Sequence, residues 1–346
     1  MRLHRLLRAP ALIPALFSAK DSVGGQALIE GVMMRGKEKV SWAVRKPAGD
    51  AVVESFPFVS ITKRNAFCGI PVIRGVINLF ESLSWGYKAL SRSADIAIVE
   101  EEKAAERDKK GSAGGDSPSI NAKTASAGDD SPPNTRKASF GDKMLSALSF
   151  VIAFAISIGL FMYAPMWVAN GIPYVKDSPM LFNLTAGIVR ITLFLIYMAL
   201  ISLWSEMRRV FEYHGAEHKT IFAYEDGKPL TLENIEPYTT LHPRCGTSFL
   251  ILVAICSILL FTVIDALYIQ HFGNFVSLFH RLGVHFVMIP LVAGTSYEFL
   301  KLSDRYMHVP VVGALVKPGL WLQKITTRKP DSSQIEIAVK ALEAAL

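Results

Sequence analysis

The chain has 346 residues, of which 51% are hydrophobic, and it carries 37 Lys and Arg against 30 Asp and Glu, a net charge of +7. Because the apolar residues gather in long runs, the composition favours a membrane protein over a soluble domain. The basic residues lie mostly beside those runs, which fits a membrane surface and predicts no nucleic-acid partner. With only three cysteines, one of them inside an apolar run, no disulfide framework is expected.

Residues 1–22 form a basic lead, with four Lys and Arg besides His4 and no acidic residue in the first twenty positions. An organelle transit peptide is one interpretation of this segment. The lead is short and poor in Ser, and it has neither a continuous apolar run nor a small-residue cleavage site. We therefore favour an amphipathic segment that rests on the membrane.

Residues 23–100 are predicted to form a small α+β module on the cytoplasmic side. Short strands are expected at residues 27–35, 40–45 and 51–56, because these runs are bounded by the turn-like segments GKEK and PAGD. The pattern predicts a small β-meander.

The second part of this module, residues 71–99, reads as a long amphipathic helix. Arg74, Glu81, Lys88 and Asp95 recur every seven positions, with apolar residues between them. So narrow a polar stripe fits a helix in the membrane interface, and it fits equally a helix buried in the module. Both interpretations are open at this point.

Residues 101–140 change in character, with mixed charges followed by Ser, Gly, Ala, Asp and Pro. Such a segment buries too little apolar surface to offset its conformational entropy. It predicts a disordered linker.

The region 141–303 holds four stretches that can cross a hydrocarbon layer, which takes about 20 helical residues. They are residues 144–175, 181–205, 245–264 and 282–297. The fold class predicted is thus a mainly α membrane protein with about four transmembrane helices, the small N-terminal module and interfacial amphipathic helices.

Orientation follows from the loops, because Lys and Arg are retained on the cytoplasmic side. The loop 206–246 and the tail 304–346 are basic, whereas the loops around Lys176 and His271 are short and nearly uncharged. We expect a multi-pass protein of the inner (plasma) membrane with both termini in the cytoplasm.

Two further features lie in these regions. Arg190 and Asp265, at compatible depths in the second and third spans, suggest an ion pair, although Arg190 could equally reach the outer headgroups. In the tail, Asp331 with Gln334 three residues later predicts a capping box that opens an amphipathic helix. Four residues share its apolar face: Ile335, Val339, Leu342 and Leu346.

The strongest chemical signal is the H-x-x-E-H segment formed by His214, Glu217 and His218, just after the second span. On a helix the two histidines stand one turn apart, so that both imidazoles can reach one metal ion. Glu217 would then act as a general base toward water. The alternative is a pair of solvated or interfacial histidines.

A second cluster, His242 and Cys245 in H-x-x-C spacing, is expected on the same side of the membrane at the entry to the third span. An imidazole and a thiolate can complete a tetrahedral ligand set of the kind zinc or iron accepts. A tight Pro/Gly turn before a helix is the alternative. A nucleophilic role for Cys245 ranks below metal ligation, because no Asn or Asp is evident to orient its histidine base.

Glu298 lies near the inner end of the fourth span, where an ionisable side chain needs a partner or water. It is a further candidate metal ligand. A structural role, in which charges including Asp304 and Arg305 pair at the membrane surface, is the alternative.

Five separated segments, GGQALIEGVMMRG, PVIRGVINLFESL, EYHGAEHKTIFAYE, HPRCGTSF and WLQKITTRKPD, together resemble the YqhQ-like family of bacterial membrane proteins. The resemblance covers nearly the whole chain. It implies a domain of unknown function that is often labelled a metal-dependent enzyme, and it places His214, Glu217, His218, His242 and Cys245 in the family's distinctive segments. It implies nothing about the substrate.

From these observations we predict a membrane-embedded enzyme that depends on a divalent metal such as zinc, with hydrolysis as its reaction. The expected ligands are His214 and His218 with one or two of His242, Cys245 and Glu298, and Glu217 is the expected base. The competing hypothesis is a non-enzymatic scaffold that binds a protein partner on its cytoplasmic face around a structural metal site. In both cases the bilayer is a partner.

Overall fold

The computed structural model describes residues 23–47, 49–112, 140–306 and 309–346. The basic lead and the part of the predicted linker between residues 113 and 139 lie outside these ranges. The described residues form two compact units. Of the described residues, the first unit draws on those within 23–100, 195–260 and 285–346, and the second on those within 101–112, 140–194 and 261–284.

The elements run along the chain in the following order. The strands are β1 Gly24–Leu28, β2 Gly31–Arg35, β3 Lys39–Arg45 and β4 Ala51–Pro57. The helices are α1 Ile61–Arg64, α2 Ile73–Ser112, α3 Phe140–Ile158, α4 Ala164–Asn170, α5 Pro173–Lys176, α6 Pro179–Ile201, α7 Ser205–Glu225, α8 Leu232–Ile235, α9 Gly246–Phe272, α10 Leu278–Arg305, α11 Pro310–Thr326 and α12 Ser332–Ala345. A 3-10 turn at Phe67–Gly69 precedes α2, and a π-helical turn at Gly159–Tyr163 joins α3 to α4.

The four strands form an antiparallel sheet in the order β1-β2-β3-β4, which confirms the predicted meander. The single strand expected at residues 27–35 is instead the β1–β2 hairpin. Glu30 reverses the chain there with a positive φ of 53°, and its carbonyl accepts the Arg45 N–H. Sequence periodicity did not reveal this turn because it contains neither Gly nor Asn.

Both faces of the sheet are covered, because successive side chains of a strand point to opposite sides. Val32 and Met34 belong to an apolar core with α7 and α12, whereas Met33 and Trp42 belong to a second core with α2. This explains why β2 and β3 are almost continuously buried. The sheet therefore fixes α7 from one side.

Helix α12 begins with the predicted capping box, since the Asp331 carboxylate accepts the Gln334 N–H and the Gln334 side chain accepts the Asp331 N–H. Ile335 and Leu342 are buried as expected. Leu346 is 52% exposed because it follows the last helical residue.

Helix α2 is longer than the predicted range 71–99 and ends at Ser112. Its polar stripe is used for contacts between elements. Arg74 pairs with Glu298 of α10, and Arg92 donates to Glu54 of β4 at 2.7 and 2.9 Å. On another side, four large apolar residues at helical spacing are exposed: Phe80, Leu83, Tyr87 and Leu90.

Four helical stretches are long and apolar enough to cross a membrane, in agreement with the four predicted stretches. They are Ala147–Asn170, Pro179–Ile201, Gly246–Phe272 and Leu278–Ser303. Within the first, the π-helical turn presents the Phe161 carbonyl, which accepts the Arg190 Nε–H at 2.9 Å.

The second unit contains a buried polar cluster. Asp265 is fully buried, and one of its carboxylate oxygens accepts hydrogen bonds from Arg281 Nε at 2.9 Å and from Asn183 Nδ2 at 2.6 Å. The Arg281 guanidinium also lies over the Phe182 ring, 3.3 Å from its centroid. Arg281 is thus an ionic partner of Asp265 that the sequence analysis did not identify, and the pair of Arg190 with Asp265 stays a prediction.

Candidate metal centre

Helix α7 occupies the first half of the predicted loop 206–246 and places the H-x-x-E-H segment on one continuous helix. From Gly215 to Ile221 every residue is buried. A Cβ at Gly215 would lie 2.0 Å from the Arg328 carbonyl oxygen, so only glycine lets the chain after α11 approach α7 so closely. That close approach brings the Thr326 carbonyl to His214.

Three of the predicted ligands converge. One ligand atom each from His214, His218 and Cys245 lies within 4.8 Å of the other two. His214 Nε2 is 3.1 Å from Cys245 Sγ, and both His218 and Cys245 are buried. Cys245 directly precedes α9, so the chain returns to α7 at the position that the sequence suggested.

The orientation of both imidazoles is fixed by backbone carbonyls, which can only accept. His214 Nδ1–H donates to the Thr326 carbonyl at 2.8 Å, and His218 Nδ1–H donates to the Thr240 carbonyl. The lone pair of each ring therefore resides on Nε2. His218 Nε2 is buried and has no hydrogen-bond partner among the described residues.

The sulfur of Cys245 lies at the start of a helix. The Thr247 N–H donates to it at 3.4 Å, and the Thr247 hydroxyl is 3.2 Å away. The sulfur is thus held in place by Thr247, and cysteine sulfur is a ligand that zinc accepts.

Burial also determines the protonation of His218. Removal from water lowers the pKa of this imidazole below its ordinary value, and the nearby Cys245 sulfur and Thr240 carbonyl offset only part of that effect. His218 is therefore neutral near pH 7, which is the form required of a metal ligand.

Glu217 lies beside the three ligand atoms. Its Oε2 is 3.9 Å from His214 Nε2, is buried, and has no hydrogen-bond partner among the described residues. Burial raises the pKa of this carboxyl, while His214, His242 and the Gly25 N–H oppose the rise. A Cβ at Gly25 would come within 2.8 Å of Glu217 Oε1, so β1 forms a tight wall against the carboxylate.

His242 is close to the three ligands without joining them. Its ring centroid is 5.6 Å from that of His218, but Nδ1 accepts the Arg244 N–H at 3.3 Å and Nε2 lies 3.6 Å from Glu225. The ring is therefore oriented by neighbours other than the three ligands.

Glu298 does not lie with the three ligand atoms. Its carboxylate binds the Arg74 guanidinium through two hydrogen bonds, one of them of 2.7 Å between Arg74 Nε and Glu298 Oε1. This contact links α2 to α10, as does the close approach of Gly75 to Gly294.

Several contributors to the centre were not identified from the sequence. The Thr240 and Thr326 carbonyls are backbone groups, so no residue type marks them. Gly25 lies in β1 against Glu217, a contact that its residue type does not indicate. Of these contributors, only Gly215 could have been identified, because a glycine inside an otherwise helical segment indicates close packing.

The three ligands fit a divalent metal such as zinc. Tetrahedral zinc holds nitrogen at about 2.0 Å and sulfur at about 2.3 Å, which separates neighbouring ligand atoms by roughly 3.5 Å. The observed separations, all within 4.8 Å, are close to this value. The unpartnered Nε2 of His218 is the atom that such an ion would satisfy.

The fold and the site define a largely helical protein with four potential membrane spans and a buried His-His-Cys group next to a glutamate. The sequence matches the family described as "Protein of unknown function (DUF1385)" over residues 70–346, and the chain belongs to this family. It is also 30% identical over 330 residues to the uncharacterized protein YqhQ of Bacillus subtilis (strain 168), covering 93% of this chain and 92% of that protein. The resemblance noted in the sequence is thereby confirmed. No solved structure matches the chain.

Proposed function

We propose that this protein is a membrane-embedded, metal-dependent hydrolase whose metal is held by His214, His218 and Cys245. The observation that carries the proposal is the convergence of two fixed Nε2 lone pairs and one sulfur beside a buried carboxylate, whose Oε2 has no hydrogen-bond partner among the described residues. Three protein ligands leave a fourth position open, as catalytic zinc sites do.

A metal bound there would lower the pKa of a water molecule and polarise the bond to be cleaved. Glu217 accepts the proton that this water loses and returns it to the leaving group, so that the water oxygen joins one product. The raised pKa of Glu217 suits a group that exchanges protons in this way. In this proposal His242 positions the loop that carries Cys245, and Glu298 serves the ion pair with Arg74.

The membrane location is part of the proposal. The four long helices have mean hydropathies from 1.3 to 2.7, and the window of the first has none of its residues buried. The exposed stripe on α2, from Phe80 to Leu90, would lie in the membrane interface. From the basic loop and tail we propose that the metal centre and both termini lie in the cytoplasm at the inner (plasma) membrane. A fluorescent protein fused to the C-terminus is then expected to fluoresce.

Metal analysis of the purified full chain tests the centre directly. We expect about one bound metal per chain in the unmodified protein. The His214→Ala/His218→Ala variant should hold almost none, and a His271→Ala/His280→Ala variant, which removes two exposed histidines, should hold the full amount. Equal and negligible metal in all three proteins would reject the proposal.

A non-catalytic scaffold with a structural metal site, which recruits a protein partner, is the second candidate. The burial of His218 and Cys245 favours it, since structural sites are closed to solvent. A Glu217→Gln variant separates the two functions in a strain that lacks the native gene. Retained metal with lost complementation supports the enzyme, whereas retained metal with full complementation supports the scaffold.

A further inference from the structure

The first unit contains a cavity of about 610 Å³ between the sheet, the start of α2 and the end of α10. Its volume lies in the range of small-molecule sites. The wall combines aromatic rings, among them Phe58, Trp85 and Tyr297, with polar side chains such as Gln26 and Asn78. The cavity is therefore suited to an organic molecule that carries a polar group.

The charge of this wall has one sign. Arg35, Lys37, Lys63 and Arg244 line the cavity, and no Asp or Glu is among the described residues that do so. Arg35 and Arg244 also pair with Glu81 and Glu225, which lie behind the wall. Surfaces of one charge sign raise the local concentration of the opposite ion. The wall thus favours an anion.

Arg35 has donors to spare. Its guanidinium lies over the Phe58 ring, donates to the Ser82 hydroxyl at 3.1 Å and is 3.5 Å from Glu81. The Glu81 carboxylate meanwhile accepts shorter bonds from Ser60 Oγ at 2.8 Å and the Ile61 N–H at 2.7 Å. Arginine has five N–H donors, so this half-buried cation retains several for a ligand.

The cavity and the metal centre share part of their walls. Gly25 lines the cavity on one side, and on the other it touches Glu217. Arg244 also lines the cavity and immediately precedes Cys245. A molecule in the cavity would lie next to the proposed catalytic base.

We propose that this cavity binds the phosphate group of an organic phosphate through Arg35, Lys63 and Arg244. A phosphate monoester carries up to two negative charges and three acceptor oxygens, which matches several cations better than a single carboxylate does. The inference that the bound molecule is the substrate rests on the proposed function. The inference that it binds in the cavity is independent of that function.

Protection of Lys63 from chemical acetylation, followed by mass spectrometry on the full chain, tests the binding. Lys39 is an exposed lysine outside the cavity and serves as the internal reference. One arm titrates inorganic phosphate and glycerol 3-phosphate into the detergent-purified protein. The other compares phosphatidylcholine nanodiscs with and without phosphatidic acid. Protection in the first arm indicates a soluble phosphate, and protection in the second alone indicates a lipid headgroup.

We expect selective protection of Lys63. In the Arg35→Gln variant the phosphate concentration that gives half-protection should be about tenfold higher, because one charge-assisted hydrogen bond is lost. Arg92→Gln is the matched control, since Arg92 also pairs with a glutamate but does not line the cavity. Should Arg35→Gln fail to fold, the phosphate-induced rise in melting temperature is compared between the unmodified protein and Lys63→Gln, in which it should shrink. No protection of Lys63 by any probe, or equal protection in a folded Arg35→Gln variant, would overturn the inference.

The same experiment on the His214→Ala/His218→Ala variant separates this inference from the proposed function. Protection of Lys63 that persists without metal supports the cavity as a phosphate site in its own right. If the native protein holds metal and Lys63 stays unprotected, the cavity inference fails while the metal centre stands. If Lys63 is protected and no metal binds, the proposed function fails instead.

Discussion

Two buried polar clusters in the described part of this molecule differ in how their hydrogen-bonding atoms are used. In the second unit, one Asp265 oxygen accepts donors from both Arg281 and Asn183. In the first unit, His218 Nε2 and Glu217 Oε2 are buried without partners among the described residues, although the other ring nitrogen of His218 is firmly bound. A cluster whose groups satisfy one another stabilises the fold, whereas unsatisfied atoms that converge on one point indicate a ligand.

The largest effect should follow from Asp265→Ala, which leaves the Arg281 guanidinium buried without its acid. We expect a loss of about 3–5 kcal/mol in the free energy of unfolding. Thermal unfolding in detergent measures it. The Asp265→Leu/Arg281→Met double variant should recover most of the loss, because a buried ion pair and an apolar pair of similar volume are often equally stable. A loss below about 1 kcal/mol for Asp265→Ala would mean that this cluster is not structural.

Removal of metal should affect the cluster of His214, His218 and Cys245 and leave the Asp265 cluster unchanged. A chelator is expected to lower the stability of the native protein by about 2–4 kcal/mol, the linkage energy of a ligand present well above its dissociation constant. The His214→Ala/His218→Ala variant should show no such shift. The Asp265→Leu/Arg281→Met variant should show the full shift, and a reduced one would contradict the separate roles of the clusters.

A smaller effect is expected from Gly25→Ala. The new methyl carbon would lie 2.7 Å from the Met33 carbonyl oxygen and 2.8 Å from Glu217 Oε1, which should cost about 1–3 kcal/mol and displace the carboxylate. Metal content should be retained while complementation falls. Gly24→Ala is the neighbouring control, because its Cβ would meet nothing within 4 Å. If the two variants behave alike in unfolding and complementation assays, the close packing of β1 against the Glu217 carboxylate is refuted.

The smallest effect concerns the cap of α12. Asp331→Ala should cost about 1 kcal/mol through loss of the capping bonds, with no change in metal content. Although partial burial acts in the opposite direction, the Ser333 hydroxyl and the Gln334 N–H hold the pKa of this carboxyl below its ordinary value. Its stabilisation is therefore present at neutral pH and is lost as the pH falls through the lowered pKa. Unfolding of the native protein and of Asp331→Ala at pH 7 and in acid should show the difference narrowing.

The elements with strong periodicity could be predicted from the sequence. The four apolar stretches and the meander were predicted from runs of residue types. The capping box of α12 was predicted from the spacing of Asp331 and Gln334. These signals are local in the sequence. The convergence of His214 and His218 followed from one helical turn. Cys245 joined them only through a topological argument about the two ends of one loop.

Other features depend on the packing of distant segments. Nothing in the residue types marks Arg281 as an ionic partner of Asp265. Glu298 is a candidate metal ligand by residue type, and only the structure shows that it pairs with Arg74, over two hundred residues away in sequence. The carbonyls that orient the two histidines have no side-chain signature at all.

The centre is completed by two residues far apart in the sequence, Gly25 and Thr326, and this separation has a consequence for biosynthesis. All four long apolar helices lie between these two residues in the sequence. The strands are therefore synthesised before all four of these helices, and the segment after α11 is synthesised after them. The centre is completed late, so a chain stalled or cleaved before α11 would carry His214, His218 and Cys245 but would not hold His214 in the tautomer that binds metal.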